Sequence, residues 1–304
     1  MRRLVRVELR RLWTRRSVRW SLLGVFLAIV AAPALVPWAF GEQARINHDA
    51  DIERCVQDRP PKTRDGVTMP TIPADVAAPA QRERLCDEVT PTLDPDFHLR
   101  ELDEVYRTTA PLLIIGGFLI GASSIGADWQ AGVIPTVLTW EGRRLRVFTA
   151  RLVALVAAVF AAVVAWQAFL AGSLAPYTLV EDTTGGTGGD WPRTIGGLGL
   201  RVAAIGAAAA AFGFALALIG RGTAAALGAG FAYLFVFENV IGTQFEPLRR
   251  WLVFWNALVF VKGMFEAGGD VPDRTVAAAA VILAVWATVI LAGAALVFRR
   301  RDVV

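Results

Sequence analysis

Few side chains in this sequence have the types and spacings that catalysis in a membrane or on a nucleotide requires. Both histidines, His48 and His98, lie in polar stretches, and the sequence contains no H-E-x-x-H pattern for a metal. Ser123 and Ser124 lack a histidine nearby that could activate a hydroxyl, so we interpret them as small residues at a helix contact. Neither lysine follows a glycine-rich phosphate loop. These patterns argue against a P-loop ATPase, and a membrane-embedded enzyme acting on lipid is the weakest interpretation.

One acidic side chain lies well inside an apolar run. Glu238 interrupts the stretch 224–244. A charged side chain at the centre of a membrane helix costs on the order of 3 kcal/mol on insertion scales, so we expect Glu238 to lie near the membrane boundary, to be protonated or to be paired. Arg201, at the start of another apolar run, is the partner that the sequence offers. A role of the two residues in substrate binding or gating is the alternative.

Six apolar stretches must position these residues, and each is long enough to cross a bilayer. A helix rises about 1.5 Å per residue, so about 20 residues cross the hydrocarbon. Hydrophobic residues make up 55% of the 304, and they are gathered into blocks. The pattern predicts an all-α polytopic membrane domain over residues 20–304. The six predicted spans are residues 20–40, 108–127, 152–176, 202–220, 224–244 and 275–298.

Positive charge orients these spans. Residues 1–19, the segment 128–151, Arg221 and the C-terminal tail hold 16 Lys and Arg, whereas the opposite side, without the long 41–107 loop, holds 6. Because cytoplasmic loops are enriched in Lys and Arg, both termini are predicted in the cytoplasm. Arginine supplies 29 of the 31 cations and Ala and Gly dominate the spans, which favours a bacterial plasma-membrane protein. The basic N-terminus predicts contact with anionic lipid, not nucleic acid.

The segments between the spans also have predicted roles. Residues 1–19 carry eight arginines beside apolar residues at helical spacing, which indicates a cytoplasmic interfacial helix. A signal peptide is the rival interpretation, which the length of the following apolar run disfavours. The polar segment 41–107 is predicted to be an extracytoplasmic loop, and 128–151 a cytoplasmic one. Within 247–270 an apolar run is too short to cross, which predicts an outer re-entrant helical hairpin before the last span.

Both cysteines of the chain, Cys55 and Cys86, lie in the 41–107 segment. An oxidising compartment favours a disulfide between them, and two unpaired thiols are the alternative. The distance between the two residues does not follow from the sequence.

The cytoplasmic segment carries a resemblance to a known family. The stretch ASSIGADWQAGVIPTVLTWEGRRLRVFTAR, residues 122–151, resembles the transmembrane permease subunit of ABC transporters of the type-2 exporter class. A second stretch, FENVIGTQFEPLRRWLVFWN at 237–256, is similar to the exit of the fifth span in that family. The matching positions of the first stretch are Gly126, Asp128, Gly132, Leu138, Thr139 and Arg144.

This resemblance implies a transporter that works with other chains. The segment after the second span would be a coupling helix that docks on a separate ATP-binding subunit, which would bind ATP and Mg, while this chain would bind no cofactor and catalyse nothing. A second permease copy, identical or related, would complete the path. The implied contacts with the ATP-binding subunit are Asp128, Trp129, Gln130, Arg143 and Arg144. Alternatively, Asp128 caps a span end and the arginines contact lipid phosphates.

A function of another class also fits the sequence. The chain would then be a membrane anchor or sensor whose 41–107 extracytoplasmic loop binds a ligand or a partner protein and needs no ATPase. A co-purifying ATPase activity distinguishes the permease from this alternative.

Overall fold

A computed structural model describes most of the chain, and nearly all of what it describes is helical. The described residues are 7, 16–57, 63, 64, 67, 68, 79–90, 97–241, 244–263 and 274–300. The predicted interfacial helix at 1–19 lies largely outside these residues, as do parts of the 41–107 loop and of the 247–270 hairpin. The helical fold class is confirmed for the described part. Its one pair of strands, two residues each and antiparallel, lies in the 41–107 segment.

Ten α-helices and two short strands make up most of the described part. In chain order they are α1 Arg16–Val56, β1 Thr63–Arg64, β2 Val67–Thr68, α2 Pro79–Val89, α3 Leu102–Gln130, α4 Val133–Trp140, α5 Arg144–Val180, α6 Trp191–Gly220, α7 Thr223–Ala232, α8 Glu246–Arg249, α9 Val253–Lys262 and α10 Val276–Arg300. β1 pairs with β2 so that Thr63 lies opposite Thr68. A single 3₁₀ turn, Leu99–Glu101, precedes α3, and a nine-residue π-helix, Tyr233–Ile241, follows α7 directly.

Within the described residues, four helices are long and apolar enough to cross a membrane, which is consistent with a membrane protein. They are Leu99–Gln130, which joins the 3₁₀ turn to α3, together with α5, α6 and α10, and they contain the predicted second, third, fourth and sixth spans. The predicted first span lies within α1, where most side chains up to residue 34 are outside the described part. The predicted fifth span falls on a shorter apolar helix, Thr223–Glu238. Six spans therefore stay a prediction.

The chain divides into two compact units. One contains Leu27–Glu101 and Gly172–Thr187, and the other contains Met1–Phe26, Leu102–Ala171 and Gly188–Val304. In the first unit the sulfurs of Cys55, near the end of α1, and Cys86, on α2, are at bonding distance, 2.05 Å. The disulfide is thus the alternative that the structure supports. Near it, Nε2 of His48 lies 3.4 Å from Oδ1 of Asp87.

In the second unit, small residues bring α3 and α6 into close contact. A Cβ atom on Gly117 would meet the carbonyl oxygen of Gly206, and one on Gly121 would meet that of Ala210. Gly213 on α6 approaches the carbonyl oxygen of Phe118 in the same way. The two backbones therefore touch directly, as small residues four apart allow in helix pairs in membranes. This contact fixes the second and fourth predicted spans against each other.

Candidate functional site

The segment that the sequence singles out is a short helix between two long ones. α3 ends at Gln130, and Gly132 makes the turn into α4 with a φ of 65°. Glycine adopts this left-handed conformation without the strain that a side chain would add. At the other end, the backbone N–H of Glu141 donates to the carbonyl of Val137 at 3.0 Å, and α5 begins at Arg144. The turn and the loop make α4 a distinct element between α3 and α5.

An ion pair joins the two long helices beside this element. Nη1 of Arg151, on the first turns of α5, lies 2.9 Å from Oδ2 of Asp128, near the end of α3. Both residues are buried, with 5% of Asp128 and 6% of Arg151 exposed. A pair of charges withdrawn from water in this way needs good geometry to offset its desolvation. The pair sets the relative position of the two helix ends from which α4 extends.

The neighbouring tryptophan contacts a third helix. The guanidinium carbon of Arg221 lies 5.5 Å from the ring centroid of Trp129, which is within the range of a cation–π interaction. Arg221 follows α6 and adopts a left-handed φ of 55°. The ends of α3, α5 and α6 are therefore linked by one buried ion pair and one cation–π contact.

The other predicted contact residues are more accessible. Gln130 and Arg143 are exposed, and Arg144 and Trp129 are half-buried. Arg146, in the first turn of α5, forms an ion pair of 3.5 Å with Glu141 in the loop. Trp140, the last residue of α4, is 89% exposed. Of the five predicted contacts, Asp128 alone is buried, so the other four, with Trp140, remain accessible to a partner at the surface around α4.

The second predicted site lies at the π-helix. Glu238 is 3% exposed, and its Oε1 accepts a hydrogen bond of 2.9 Å from the backbone N–H of Phe254, in the first turn of α9. The hydroxyl of Tyr233 accepts from the adjacent N–H of Val253 at 3.1 Å. Two side chains of the π-helix therefore cap the N-terminus of α9. Oε2 of Glu238 is buried without a hydrogen-bond partner among the described residues.

The structure does not pair Arg201 with Glu238, contrary to the expectation from the sequence. Nη1 of Arg201 donates instead to the carbonyl of Phe260, at 3.3 Å, near the C-terminal end of α9. The two charged side chains therefore bind opposite ends of the same short helix. The reason is physical: a helix has a partial positive charge at its N-terminus and a partial negative charge at its C-terminus, so each end attracts an opposite charge.

Comparison with models of protein families, with curated proteins and with solved structures finds no match to this chain.

Sequence reasoning missed two functional partners. The sequence places Arg151 among the basic residues of the 128–151 segment, whereas the structure pairs it with Asp128. The sequence also does not single out Tyr233, which caps α9 together with Glu238. An acid and a base at facing ends of consecutive spans would have been a signal for the first. Tyr233 and Glu238 are five residues apart, a spacing that a π-helix brings to one side, and nothing in the sequence indicates a π-helix there.

Proposed function

We propose that this chain is the transmembrane permease subunit of an ATP-driven exporter of the ABC type, multi-pass in the plasma membrane of a bacterium, with six spans and both termini in the cytoplasm. ATP would be hydrolysed with Mg on a separate subunit, and this chain would convert the motion of that subunit into alternating access. A second permease copy would complete the path. The sequence resemblance at 122–151 and the four long apolar helices support this assignment.

One observation carries the proposal furthest. The short helix α4 lies between two long apolar helices whose ends are held together by the buried pair of Asp128 and Arg151. A force applied to α4 is therefore passed to both long helices, because their ends cannot separate without breaking this buried ion pair. In this proposal Gln130, Arg143 and Arg144 contact the ATP-binding subunit. Asp128 acts as a positioning residue that orients the contact surface.

The test is to isolate the chain with its partners. A tagged chain would be extracted in mild detergent from its native membrane, and any protein present in near-equal amount would be identified while vanadate-sensitive ATP hydrolysis is measured. We expect a P-loop subunit that is lost when Arg143 is replaced in the variant Arg143→Glu. Arg193→Glu is the matched control, because Arg193 is also exposed but lies in the first turn of α6, on the predicted outer side. Repeated absence of such a subunit would refute the permease assignment.

One observation favours the second candidate function, a membrane anchor or sensor. Part of the 41–107 segment belongs to a compact unit in which a disulfide joins α1 to α2. Hydrogen bonds also tie this unit together: the hydroxyl of Thr183 donates to the carbonyl of Phe97 at 3.0 Å, and the N–H of Leu99 donates to the carbonyl of Thr183 at 3.2 Å. A folded outer unit is what a receptor for an external ligand or protein would need. An intact chain that purifies without an ATPase would favour this function.

A further inference from the structure

Half of the positive charge on the predicted outer side lies around the start of α9. Short loops on this side of a membrane are poor in Lys and Arg, so a local concentration of them is unusual. Three arginines, Arg249, Arg250 and Arg274, are named here the arginine cluster. Outside the 41–107 loop, the predicted outer side carries six Lys and Arg: Arg193, Arg201, Arg249, Arg250, Lys262 and Arg274.

Asn256, in the first turn of α9, connects the parts of the cluster. Its Nδ2 donates to the backbone carbonyl of Arg250 at 3.1 Å, and its Oδ1 accepts a hydrogen bond of 3.2 Å from Nη1 of Arg274. Asn256 is 1% exposed, so a buried side chain makes both contacts. Arg250 is exposed, and Arg249 and Arg274 are half-buried. Two consecutive arginines and a third that is distant in sequence therefore meet at one end of α9.

Tryptophan rings contact two of these arginines. The guanidinium carbon of Arg274 lies 5.7 Å from the ring centroid of Trp251, and that of Arg249 lies 5.0 Å from the ring centroid of Trp255. Both distances are within the range of a cation–π interaction. The carbonyl of Trp251 accepts a hydrogen bond of 2.9 Å from the indole N–H of Trp286, on α10. Tryptophan beside arginine is typical of the level where lipid headgroups meet the hydrocarbon.

An exposed apolar ridge continues from the cluster along α10. Val281, Val285 and Val289 are four residues apart, a spacing that places them on one face of the helix. They are between 57% and 62% exposed, and they are named here the valine ridge. Arg274 lies two helical turns before Val281. The buried residues of α10 are on other faces of the helix: Ala279, Ala294 and Phe298.

The cluster and the ridge together have the length of one lipid layer. From Arg274 to Val289 the chain advances by 15 residues, which at about 1.5 Å each cover roughly 22 Å. Half of a bilayer, with its headgroup region, measures about 20 to 22 Å. A phospholipid that lies along α10 can therefore place its phosphate at the arginines and an acyl chain on the valines.

Charge selects among the molecules that could cover this ridge. A zwitterionic lipid would cover the valines, but its headgroup carries a positive charge of its own. The partners of Arg274, Asn256 and the ring of Trp251, are neutral, so they do not offset its charge. The phosphate of an anionic phospholipid offers oxygens that guanidinium groups bind strongly, and no second cation accompanies it.

We propose that the arginine cluster and the valine ridge form a binding site for one anionic phospholipid of the outer leaflet. Its phosphate lies at Arg250 and Arg274, and one acyl chain follows Val281, Val285 and Val289. This inference goes beyond the proposed function, because the lipid is a resident of the outer surface of the bundle and not the cargo. The site requires no ATP-binding subunit.

The experiment measures which lipid contacts the ridge. Because the native cysteines form a disulfide, Val281→Cys carries the one free thiol of the chain, which would be labelled with bimane. The full chain would be reconstituted in vesicles of phosphatidylcholine and phosphatidylglycerol in equal amounts. A nitroxide on the acyl chain of one lipid or of the other quenches the probe on contact. The two quenching curves give the relative affinity of the ridge for the two lipids.

Leu112→Cys, labelled in the same way, is the matched control position. Leu112 is 71% exposed on α3 and lies close to the outer end of the predicted second span, at a depth similar to that of Val281. Arg193→Gln is the control for the loss of an outer arginine, because Arg193 is exposed and lies in the first turn of α6.

We expect the probe at position 281 to favour phosphatidylglycerol by about tenfold or more, since each arginine near an anionic headgroup contributes roughly fivefold. Arg250→Gln and Arg274→Gln should each lower this preference by about fivefold. Arg274→Lys, which keeps the charge, should retain most of it, and Arg193→Gln should leave it unchanged. The probe at position 112 should show little preference in any variant.

Equal quenching by the two lipids at position 281 would overturn the proposal. The same preference at positions 281 and 112 would also overturn it, because the attraction would then be general to the surface. Absence of quenching at 281 by either lipid would mean that protein covers the ridge, for example a second copy of the chain. A preference that survives Arg250→Gln combined with Arg274→Gln would exclude the cluster as its source. All four results are independent of whether an ATPase partner co-purifies.

Discussion

At the scale of single residues, the ion pair of Asp128 and Arg151 joins two long helices at the predicted cytoplasmic end of the molecule. Each carries a charge that is almost inaccessible to solvent, and each is the other's partner at 2.9 Å. The pair costs desolvation energy that a pair of apolar residues would not, so its presence favours a positional role over a purely stabilising one. If that is its role, the consequences of removing one member and of removing both should differ.

We predict that Asp128→Ala and Arg151→Ala each destabilise the chain by about 3 to 5 kcal/mol, because each leaves a buried charge without its partner. The double variant Asp128→Leu with Arg151→Met should be more stable than either, since neither charge of this pair is then left buried. Thermal unfolding in detergent, followed by tryptophan fluorescence, measures all three. Arg193→Ala, at a highly exposed position, is the control and should change the midpoint little. A double variant less stable than both single variants would contradict this account.

The limits of sequence reasoning are also clearest at this scale. The sequence marks Asp128 and Glu238 as unusual, because an acid in an apolar setting is costly wherever the chain folds. Their partners depend on which helix ends meet, and that is a property of the whole packing. Arg201 was therefore assigned to Glu238, although each binds a different end of α9. The sequence singles out these charged residues, but their contacts do not follow from it.

At the scale of elements, the contact between α3 and α6 depends on glycine. Gly117 and Gly121 are four residues apart on one face of α3, and both approach the backbone of α6. Gly116 lies next to them on the same helix, and a Cβ there would meet nothing within 4 Å. The chain thus offers a matched pair of positions, one in the contact and one outside it.

We predict that Gly121→Ala destabilises the bundle by about 1 to 3 kcal/mol, because the added methyl group would meet the carbonyl of Ala210 and push the helices apart. Gly116→Ala should be neutral or slightly stabilising, since alanine favours the helix and the space is open. Thermal unfolding of the two variants in the same detergent makes the comparison. Equal changes in both variants would mean that the close approach of Gly121 to α6 does not decide the outcome.

The sequence predicts the long helices of this chain better than its short ones. The four long apolar helices follow from the length and composition of each segment, both of which are local properties. The predicted fifth span became a short α-helix continued by a π-helix, and no local pattern distinguishes the two. The short helix α9 was expected as part of a re-entrant hairpin from its length, but the caps that hold it come from residues distant in sequence.

At the scale of the whole molecule, the disulfide should act on one compact unit and leave the other unchanged. Cys55 and Cys86 are 31 residues apart, and closing a loop of that size stabilises a fold by about 3 to 4 kcal/mol in the chain-entropy account. We predict that the variant Cys55→Ser with Cys86→Ser is cleaved faster by protease within α2, which carries Cys86. The fragments that contain the long helices should persist as in the parent chain. Equal protection of both chains would show that the unit does not depend on the bond.

The orientation of the whole chain can be tested at the two ends of α5. Gly142 precedes this helix and Gly188 follows it, and both are exposed positions where a side chain would meet nothing within 4 Å. If α5 crosses the membrane as the charge pattern predicts, the two positions lie on opposite sides, with Gly142 in the cytoplasm. We predict that a membrane-impermeant maleimide added to intact cells labels Gly188→Cys but not Gly142→Cys.

Opening the cells should make both thiols reactive. The parent chain, whose two cysteines form a disulfide, should not react in intact or in opened cells. Labelling of Gly142→Cys alone in intact cells would reverse the predicted orientation and place α4 outside, where no ATP-binding subunit could reach it. Labelling of both positions would mean that α5 does not cross, despite having 37 residues. The permease function requires one pattern, protection of Gly142→Cys and labelling of Gly188→Cys, because coupling to ATP hydrolysis needs α4 in the compartment that holds ATP.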